Sequence, residues 1–323
     1  MKLSVIIPVL NEQENIDALI AQLNAFFHQR GEYAAEVVFV NDGSTDQTFE
    51  KLKTGSHIFY TAKLINFSKN FGSHAALRAG IQLASGDYIT FMYADLQDPL
   101  ELIDEMFTEI SNNSADICWA QRNSTETSTT EKLFSRSYAY FMQKYAVANF
   151  PKNGFDIVMF SRRVQGCLNN NVEGNSSLFI QILSLGFKQS AVTYYKNARL
   201  VGKSKWTVSK KIKLLIDSFV AFSFAPIRLV SLIGVVFFFL GIVWTGYIVF
   251  RKLVFNDLAS GWPALMSILM VGFGVTNISL GIIAEYLWRT LDASRKRPVY
   301  VIEEIADLSP ISKPTSAEQI HLL

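Results

Sequence analysis

Apolar residues in the first 120 positions form short runs separated by more polar stretches. The runs are rich in β-branched and aromatic residues, which predicts buried strands at 3–9, 36–40, 62–65, 88–92 and 116–119. The intervening stretches predict helices at 12–28, 72–84 and 100–110. Strands that alternate with helices predict an α/β fold with a parallel, doubly wound sheet.

The pattern changes after residue 122. Residues 123–130 are polar and predict a loop, whereas 131–147 and 209–224 combine aromatic and aliphatic residues with Lys and Arg. This mixture is typical of amphipathic helices at a membrane interface, whose basic residues face lipid headgroups. The alternative is a pair of ordinary helices that face the protein core.

Two long apolar stretches follow. The first, at 229–250, has no charged residue, and the second, at 262–287, has only Glu285. Each is long enough to span a hydrocarbon layer of about 30 Å. The chain therefore divides into an α/β domain at 1–208, an interfacial helix at 209–228, a transmembrane hairpin at 229–288 and a tail at 289–323.

Charge sets the expected orientation of the hairpin. Basic residues cluster before the first span and after the second, whereas the loop between the spans has only Arg251 and Lys252. The positive-inside rule then places the α/β domain and both termini in the cytoplasm. The whole chain has a net charge of only +2, which argues against a general nucleic-acid binder. Cys118 and Cys167 have no paired spacing, so we expect neither a disulfide framework nor a zinc site.

The fourth predicted strand, at 88–92, ends in a group of oxygen-bearing side chains. Asp95, Gln97 and Asp98 follow it, and Pro99 precedes the next predicted helix. Ligands bind at the carboxyl ends of strands in open α/β sheets, and carboxylate and amide oxygens suit Mg²⁺ or Mn²⁺. The alternative is that the strand simply ends here, with acidic side chains exposed to solvent and one of them capping the next helix.

Five motifs in order, followed by the hairpin, resemble glycosyltransferase family 2 and its GT-A, Rossmann-like catalytic domain. The likeness covers 2–297 and is most specific to the polyprenyl-phosphate glycosyltransferases. The motifs are Ser-Val-Ile-Ile-Pro-Val-Leu-Asn-Glu at 4–12, Asn-Asp-Gly-Ser-Thr-Asp at 41–46, Asn-Phe-Gly at 70–72, Ala-Asp-Leu-Gln-Asp-Pro at 94–99 and Gly-Lys-Ser-Lys-Trp at 202–206.

The resemblance implies a site for a UDP-sugar donor. It assigns the base and ribose to Pro8, Asn11, Glu12 and Asp42. The donor diphosphate would be held through Mg²⁺ or Mn²⁺. The resemblance assigns this metal to Asp95 and Gln97, and it gives Asp95 a catalytic role as well. It also implies a loop that closes over the diphosphates and carries Arg199 and Lys205.

The acceptor implied by the resemblance is undecaprenyl or another polyprenyl phosphate. Its phosphate would be held by basic residues, namely Arg122, Lys132, Arg136 and Lys203. Asp156 aligns with a catalytic acid at the sugar, between donor and acceptor. The alternative for the basic set is membrane topology and headgroup contact alone.

Three positions depart from the family pattern. Tyr93 replaces the first Asp of the usual Asp-Ala-Asp motif, Asn41 stands where Asp is frequent, and Val158 replaces an Arg. A phenol is a poor metal ligand at neutral pH because its pKa is about 10. The metal is then held by fewer protein ligands with water and phosphate, or activity is weakened. His74, at the start of the helix after Gly72, is either near the donor or simply a polar residue at a helix start.

The sequence therefore predicts an inverting enzyme of the bacterial inner membrane, multi-pass and in contact with lipid. The resemblance implies the transfer of a sugar, with glucose as the first expectation, from a UDP-sugar to undecaprenyl phosphate for cell-envelope glycan or lipopolysaccharide modification. Aminoarabinose or an N-acetylhexosamine is the alternative sugar, and Tyr93 leaves open a non-catalytic nucleotide-sugar or lipid-binding relative. A processive polysaccharide synthase is disfavoured because the Gln-x-x-Arg-Trp motif is absent from the sequence. A homo-oligomer is compatible with these expectations.

Overall fold

A computed structural model describes most of the α/β region and the two long C-terminal helices. The described residues are 1–112, 115–122, 139–140, 142–144, 150–151, 157–172, 177–195, 225–255, 261–295 and 297–308. The interfacial helices predicted at 131–147 and 209–224 therefore lie almost entirely outside them. The chain divides into an α/β unit, which includes the residues from Pro298 onward, and a helical unit.

Among the described residues, eight strands form one sheet in the order β7-β5-β6-β4-β1-β2-β3-β8. The strands are β1 Lys2–Val9, β2 Ala34–Asn41, β3 Thr61–Phe67, β4 Tyr88–Phe91, β5 Ile117–Arg122, β6 Ile157–Ser161, β7 Gln189–Tyr194 and β8 Ile302–Asp307. The helices of this unit are α1 Ile16–His28, α2 Thr48–Thr54, α3 Ser73–Leu83, α4 Glu101–Asn112, α5 Arg162–Asn170 and α6 Leu178–Ser184.

The sheet has one edge where most strands end. Strands β1 to β4 are parallel, and β5 and β7 run in the same direction, because β6 pairs antiparallel with both β4 and β5. Strand β8 pairs antiparallel with β3, so β8 begins at the edge where its neighbours end. We call this the carboxyl edge of the sheet.

The central strands are buried because helices cover the sheet. In α1 the buried residues recur at helical spacing and form one apolar stripe. In α3 the buried residues are mostly small, and a Cβ added to Gly80 would lie 2.3 Å from Cγ2 of Ile6 on β1. This helix therefore packs close to the sheet only because its inner face lacks bulky side chains.

The helical unit contains two long helices, α7 Ala225–Phe255 and α8 Trp262–Arg295. Counting only described residues, one stretch, Val271–Trp288 in α8, is long and apolar enough to cross a membrane, with a mean hydropathy of 1.2 and no buried residues. A shorter apolar stretch, Leu232–Trp244, lies in α7. Both predicted spans fall inside these helices.

The α/β prediction is confirmed, and its first five strands lie close to their predicted positions. Three further strands, β6, β7 and β8, were not predicted. The last of them lies within the segment 289–323, which the sequence had indicated only as a tail.

Candidate active site

Four of the predicted donor-binding residues lie at the carboxyl edge of two adjacent strands. Pro8 is the penultimate residue of β1, and Asn11 and Glu12 lie two and three residues after its end at Val9. Asp42 follows β2, and its N–H donates to the carbonyl oxygen of Val9 at 2.9 Å. The parallel pairing of β1 with β2 therefore brings the two motifs together.

Asn11 fastens the first loop to the second. It has a positive φ of 51°, which Asn tolerates better than most residues. Its N–H donates to Oγ of Ser44 at 2.9 Å, and its Oδ1 accepts from the N–H of Thr45 at 2.9 Å. The N–H of Glu12 donates to Oγ1 of Thr48 at 2.9 Å. The loop after β1 and the loop at 42–46 therefore form one hydrogen-bonded unit.

Asp46 completes this unit at the start of α2. Its carboxylate accepts from the N–H of Thr48 at 3.0 Å and from the N–H of Gln13 at 3.3 Å. Burial alone would raise the pKa of Asp46, but these hydrogen bonds outweigh it and lower the pKa below its ordinary value. The N-cap of α2 is Gln47, which makes no side-chain capping hydrogen bond, so these contacts come from the residue before the cap.

Asp42 is buried, with 3% of its surface exposed, and its carboxylate binds backbone N–H groups. It accepts hydrogen bonds from the N–H groups of Phe71 at 2.7 Å and Gly72 at 2.9 Å. Burial raises the pKa of Asp42, and these two hydrogen bonds oppose the rise. Asp42 thus holds the Asn-Phe-Gly segment at 70–72 against the loop after β2.

Gly43 makes this close approach possible. It has a φ of +67°, and a Cβ added to it would lie 2.3 Å from the carbonyl carbon of Lys69 and 2.6 Å from the nitrogen of Asn70. Both neighbours are backbone atoms, which cannot move aside as a flexible side chain would. The motif at 41–46 did not indicate this contact between two loops.

Asp95 and Gln97 lie in a tight turn after β4, which is the neighbour of β1 on its other side. Leu96 between them has a positive φ of 56°, and the N–H of Gln97 lies 3.4 Å from Oδ1 of Asp95. Both side chains are half-buried. Next to them, Oδ1 of the buried Asp98 accepts a hydrogen bond from the hydroxyl of Tyr194 at 2.8 Å, which links the turn to β7.

The oxygens of Asp95 and Gln97 fit a hard divalent cation, but they do not form a complete set of protein ligands. No group of three or more His, Cys, Asp or Glu side chains that could hold a metal occurs within the described part of the chain. Tyr93, half-buried two residues before Asp95, occupies the position where a further carboxylate is expected. The side chains described at this turn therefore offer a metal fewer acidic oxygens than the family motif does.

The other predicted site residues, for the acceptor and for the loop over the diphosphates, are described only in part. Arg122 is the last residue of β5 and so lies at the carboxyl edge. The remaining ones lie outside the described residues, namely Lys132, Arg136, Asp156, Arg199, Lys203 and Lys205. Their assignments stay predictions.

His74 has a structural partner at the start of α6. Its Nδ1 accepts from the N–H of Leu178 at 3.4 Å, and its ring lies edge-on to Phe179. Burial, and then the charge of Arg78, lower the pKa of His74 to about 4, so the ring is neutral at physiological pH. A neutral ring can accept this hydrogen bond, which favours the structural interpretation of His74.

The fold and these loops define a GT-A-type nucleotide-sugar transferase domain that is followed by a pair of apolar helices. Residues 4–165 match the family described as "Glycosyl transferase family 2", and residues 225–289 match the family described as "GtrB C-terminal hairpin". The chain therefore belongs to glycosyl transferase family 2 and is a membrane-associated glycosyltransferase of the GtrB type.

Several relatives match almost the full chain. An uncharacterized glycosyltransferase of Bacillus subtilis, YkcC, is 32% identical over 93% of this chain and 93% of its own length. A prophage bactoprenol glucosyl transferase homolog of Escherichia coli is 32% identical over 94% of this chain and 99% of its own length. The bactoprenol glucosyl transferase of Shigella phage SfV is 32% identical, with coverages of 94% and 98%.

Solved structures also resemble part of the chain. Glucosyl-3-phosphoglycerate synthase of Mycobacterium tuberculosis, in complex with Mn²⁺, UDP and phosphoglyceric acid, has a TM-score of 0.48 at 14% identity. The match covers 68% of this chain and 76% of that one.

Proposed function

We propose that the chain transfers a sugar, with glucose as the first candidate, from a UDP-sugar to undecaprenyl or another polyprenyl phosphate. The observation that carries the proposal is the combination, in one chain, of a family 2 domain at 4–165 and a GtrB-type hairpin at 225–289. Relatives named bactoprenol glucosyl transferase match nearly the whole length of the chain, which supports the same class of acceptor.

The donor nucleotide would bind at the carboxyl edge of β1 and β2. Pro8, Asn11, Glu12 and Asp42 are assigned to its base and ribose. Asn11 and Asp42 are held in place by the hydrogen bonds that join the loops at 11–12, 42–46 and 70–72. A preformed loop cluster of this kind lowers the entropic cost of ordering the site when a nucleotide binds.

Mg²⁺ or Mn²⁺ would be held by Asp95 and Gln97, with water and donor phosphates completing its coordination. When bound, such a cation neutralises charge on the leaving UDP. Tyr93 adds no acidic oxygen to this site.

In the proposed reaction an oxygen of the acceptor phosphate attacks the anomeric carbon of the sugar. The bond from that carbon to the UDP oxygen breaks, UDP leaves with the bonding electrons, and the configuration inverts. The acceptor phosphate is largely a dianion at neutral pH because its second pKa is about 6, so it needs no strong general base. Catalysis then depends on position and charge.

The remaining predicted residues complete this scheme as proposals. Asp156 orients the sugar or acceptor. Basic side chains hold the acceptor phosphate or the donor diphosphate, with Arg122, Lys132, Arg136 and Lys203 on the acceptor and Arg199 and Lys205 on the donor. Helices α7 and α8 would span the bacterial inner membrane twice, with the α/β unit and both termini in the cytoplasm, as the distribution of basic residues favours.

Tyr93 favours a second candidate function. A chain that lacks the first motif acid could bind a nucleotide sugar or lipid for a partner without transferring the sugar. Replacing Tyr93 by Asp separates the two, because turnover that appears only in the variant would indicate a degenerate enzyme.

The test uses purified full-length protein, undecaprenyl phosphate, Mg²⁺ or Mn²⁺, and a panel of UDP-sugars. We expect lipid-dependent release of UDP with one or few of the sugars. Asp95→Ala should reduce the rate by about 100-fold or more. Glu101→Ala, at an exposed acid in the first turn of α4, is the matched control and should not. Absence of turnover with every donor would contradict the proposal.

A further inference from the structure

The edge strand β8 places its first residues beside the loops of the proposed donor site. It pairs antiparallel with β3. At one end of the pairing the N–H of Ser68 donates to the carbonyl oxygen of Val301 at 3.2 Å. At the other end the N–H of Leu308 donates to the carbonyl oxygen of Ala62 at 2.8 Å. The start of β8 is therefore at the carboxyl edge. Residues 296–301 alone separate this strand from the end of α8.

A β-bulge lies at this end of the pairing. The register shifts between Asn66, which faces Glu304, and Phe67, which faces Ile302, so Glu303 is the extra residue. Bulges of this kind redirect a side chain and often occur near active sites. Here Oε2 of Glu303 accepts a hydrogen bond from Nδ2 of Asn66 at 3.2 Å.

Asn66 continues the contact towards the donor loops. Its Oδ1 accepts from Nδ2 of Asn41 at 2.7 Å, and these two residues are direct partners in the register of β2 and β3. Asn41 is buried, with 2% of its surface exposed. Its own Oδ1 lies 3.4 Å from the N–H of Ser44, whose hydroxyl oxygen accepts from the N–H of Asn11.

All side-chain donors in this series point in one direction, towards the carboxylate of Glu303. An amide can both donate and accept, whereas a carboxylate can only accept. Asn at position 41 therefore suits a partner series that ends in Glu303. An Asp at the same position could not donate to Oδ1 of Asn66. The departure from the family pattern at position 41 thus has a physical counterpart on β8.

A second series of contacts runs through aromatic rings. Tyr300 stacks on Phe67, with ring centroids 5.3 Å apart and an interplanar angle of 8°. Phe67 contacts Phe71 edge-on at 5.7 Å, and the N–H of Phe71 donates to Asp42. The hydroxyl of Tyr300 also donates to Oε1 of Gln82 on α3. Tyr300, two residues before β8, therefore supports the segment at 70–72.

We propose that two residues at the start of β8, Glu303 on the strand and Tyr300 just before it, position the donor-nucleotide site. Glu303 acts through Asn66 and Asn41 on the loop at 42–46, and Tyr300 acts through Phe67 and Phe71 on the segment at 70–72. The inference rests on the proposed function, since it assigns these residues to the binding of a uridine nucleotide. The four intermediates connect β8 to the loops that are assigned to the donor nucleotide, so we expect the effect to fall on donor binding.

The first test compares neighbouring residues on one strand in the full-length protein. Glu303→Ala should raise the Kd for UDP about tenfold, the effect of losing a hydrogen bond to a charged group. The KM for the UDP-sugar should rise with it, while the KM for undecaprenyl phosphate stays constant. Glu304→Ala is the matched control, because Glu304 forms an exposed ion pair with Lys53 at 2.8 Å, and it should change neither value.

The second test reverses the direction of the hydrogen bonds. Asn41→Asp alone places two carboxylates around the single amide of Asn66 and should weaken UDP binding. Adding Glu303→Gln supplies a donor at the other end, so the double variant should bind UDP within about twofold of wild type. If positions 41 and 303 did not interact through Asn66, the two effects would be additive and no rescue would occur.

Tyr300 is tested by a pair of variants. Tyr300→Phe keeps the stacked ring and should leave the Kd for UDP within about twofold of wild type, since an exposed hydroxyl contact contributes little. Tyr300→Ala removes the ring and should raise it. Melting temperatures of all variants, measured in the same detergent, show whether a change in Kd accompanies unfolding.

The outcomes separate this inference from the proposed function. UDP binding that is equally insensitive to Glu303→Ala and Glu304→Ala would overturn the inference alone. UDP binding that responds to Glu303→Ala without sugar transfer to any polyprenyl phosphate would support the inference and overturn the proposed reaction. Absence of UDP binding by the wild-type protein would overturn both.

Discussion

Tyr93 is the residue that most affects the chemistry expected at the carboxyl edge. Its half-buried phenol stands two residues before Asp95, and a phenol with a pKa of about 10 is neutral at physiological pH. A cation at this turn would therefore have fewer anionic protein ligands than the family motif offers. Weaker metal binding, rather than loss of activity, is the expected consequence.

Replacing Tyr93 by Asp tests this consequence. We expect the wild-type protein to be active and Tyr93→Asp to lower the half-saturating concentration of Mg²⁺ by about tenfold, because an added carboxylate strengthens the site. The measurement is UDP release as a function of Mg²⁺ concentration. An unchanged half-saturating concentration would show that position 93 does not face the metal.

Gly43 is the residue on which the contact between the loop at 42–46 and the segment at 69–72 depends. Its positive φ and its closeness to Lys69 and Asn70 leave no room for a Cβ. Gly43→Ala should destabilise the chain by at least about 1 kcal/mol and weaken UDP binding. Gly31→Ala is the control, since an added Cβ there meets no atom within 4 Å. Equal melting temperatures and equal Kd values for the two variants would contradict this account.

At the scale of elements, β1, β2 and their flanking residues are also joined at the amino edge of the sheet by a buried carboxylate. Glu36, with 4% of its surface exposed, accepts hydrogen bonds from Ser4 and Ser85 and forms an ion pair with Lys2 at 3.3 Å. Burial alone would raise the pKa of Glu36, but these contacts outweigh it and lower the pKa below its ordinary value of 4.5. The charged form therefore stabilises the sheet.

This network predicts the acid sensitivity of the fold. Because the pKa of Glu36 is lower in the folded chain, its stabilisation is fully present above pH 4.5 and is lost as the pH falls through the folded value. Glu36→Gln should reduce stability at pH 7 by about 1–3 kcal/mol and give a smaller further decrease on acidification.

The measurement is the melting temperature of the full-length protein in detergent between pH 7 and pH 3.5, a range that brackets the ordinary pKa of about 4.5. Glu32→Gln, at an exposed acid four positions earlier, is the control and should follow the wild-type curve. A wild-type curve parallel to that of Glu36→Gln would contradict the assigned role of this carboxylate.

The elements that could be predicted are those with an uninterrupted pattern. Strands β1 and β2 have apolar runs at 5–9 and 37–40, and parallel strands buried on both faces are expected to have them. Strand β8 was missed because Glu303 and Glu304 are adjacent. Burial alternates along the strand, but Glu304 lies on the more buried face and Ile305 is exposed, so apolar and polar residues do not alternate in the sequence.

The site was predictable as a set of positions and less so as a set of contacts. The motifs correctly placed Asn11, Asp42 and Asp95 at one edge of the sheet, because parallel strands all end there. They could not indicate that the carboxylate of Asp42 binds the backbone of Phe71 and Gly72. That contact depends on two loops about 30 residues apart in sequence, whose approach only the fold determines.

At the scale of the whole molecule, the chain combines an α/β transferase unit with two long apolar helices. Many large hydrophobic side chains of α7 and α8 are exposed, among them Phe239, Trp244, Phe273 and Leu287. Exposure of this extent is unfavourable in water and suits a lipid environment. The acceptor proposed for the enzyme is itself a lipid, so the same surroundings would hold the helices and supply the substrate.

The most direct test of the central claim follows the sugar rather than the UDP. Purified full-length protein, in vesicles that contain undecaprenyl phosphate, is given UDP-glucose labelled in the sugar, and the lipid extract is analysed for product. The account predicts undecaprenyl phosphate that carries glucose in the inverted anomeric configuration. This product should form in an amount equal to the UDP released and should be absent without the acceptor. Release of UDP with no labelled sugar in the lipid, or labelled lipid formed equally well by Asp95→Ala, would contradict it.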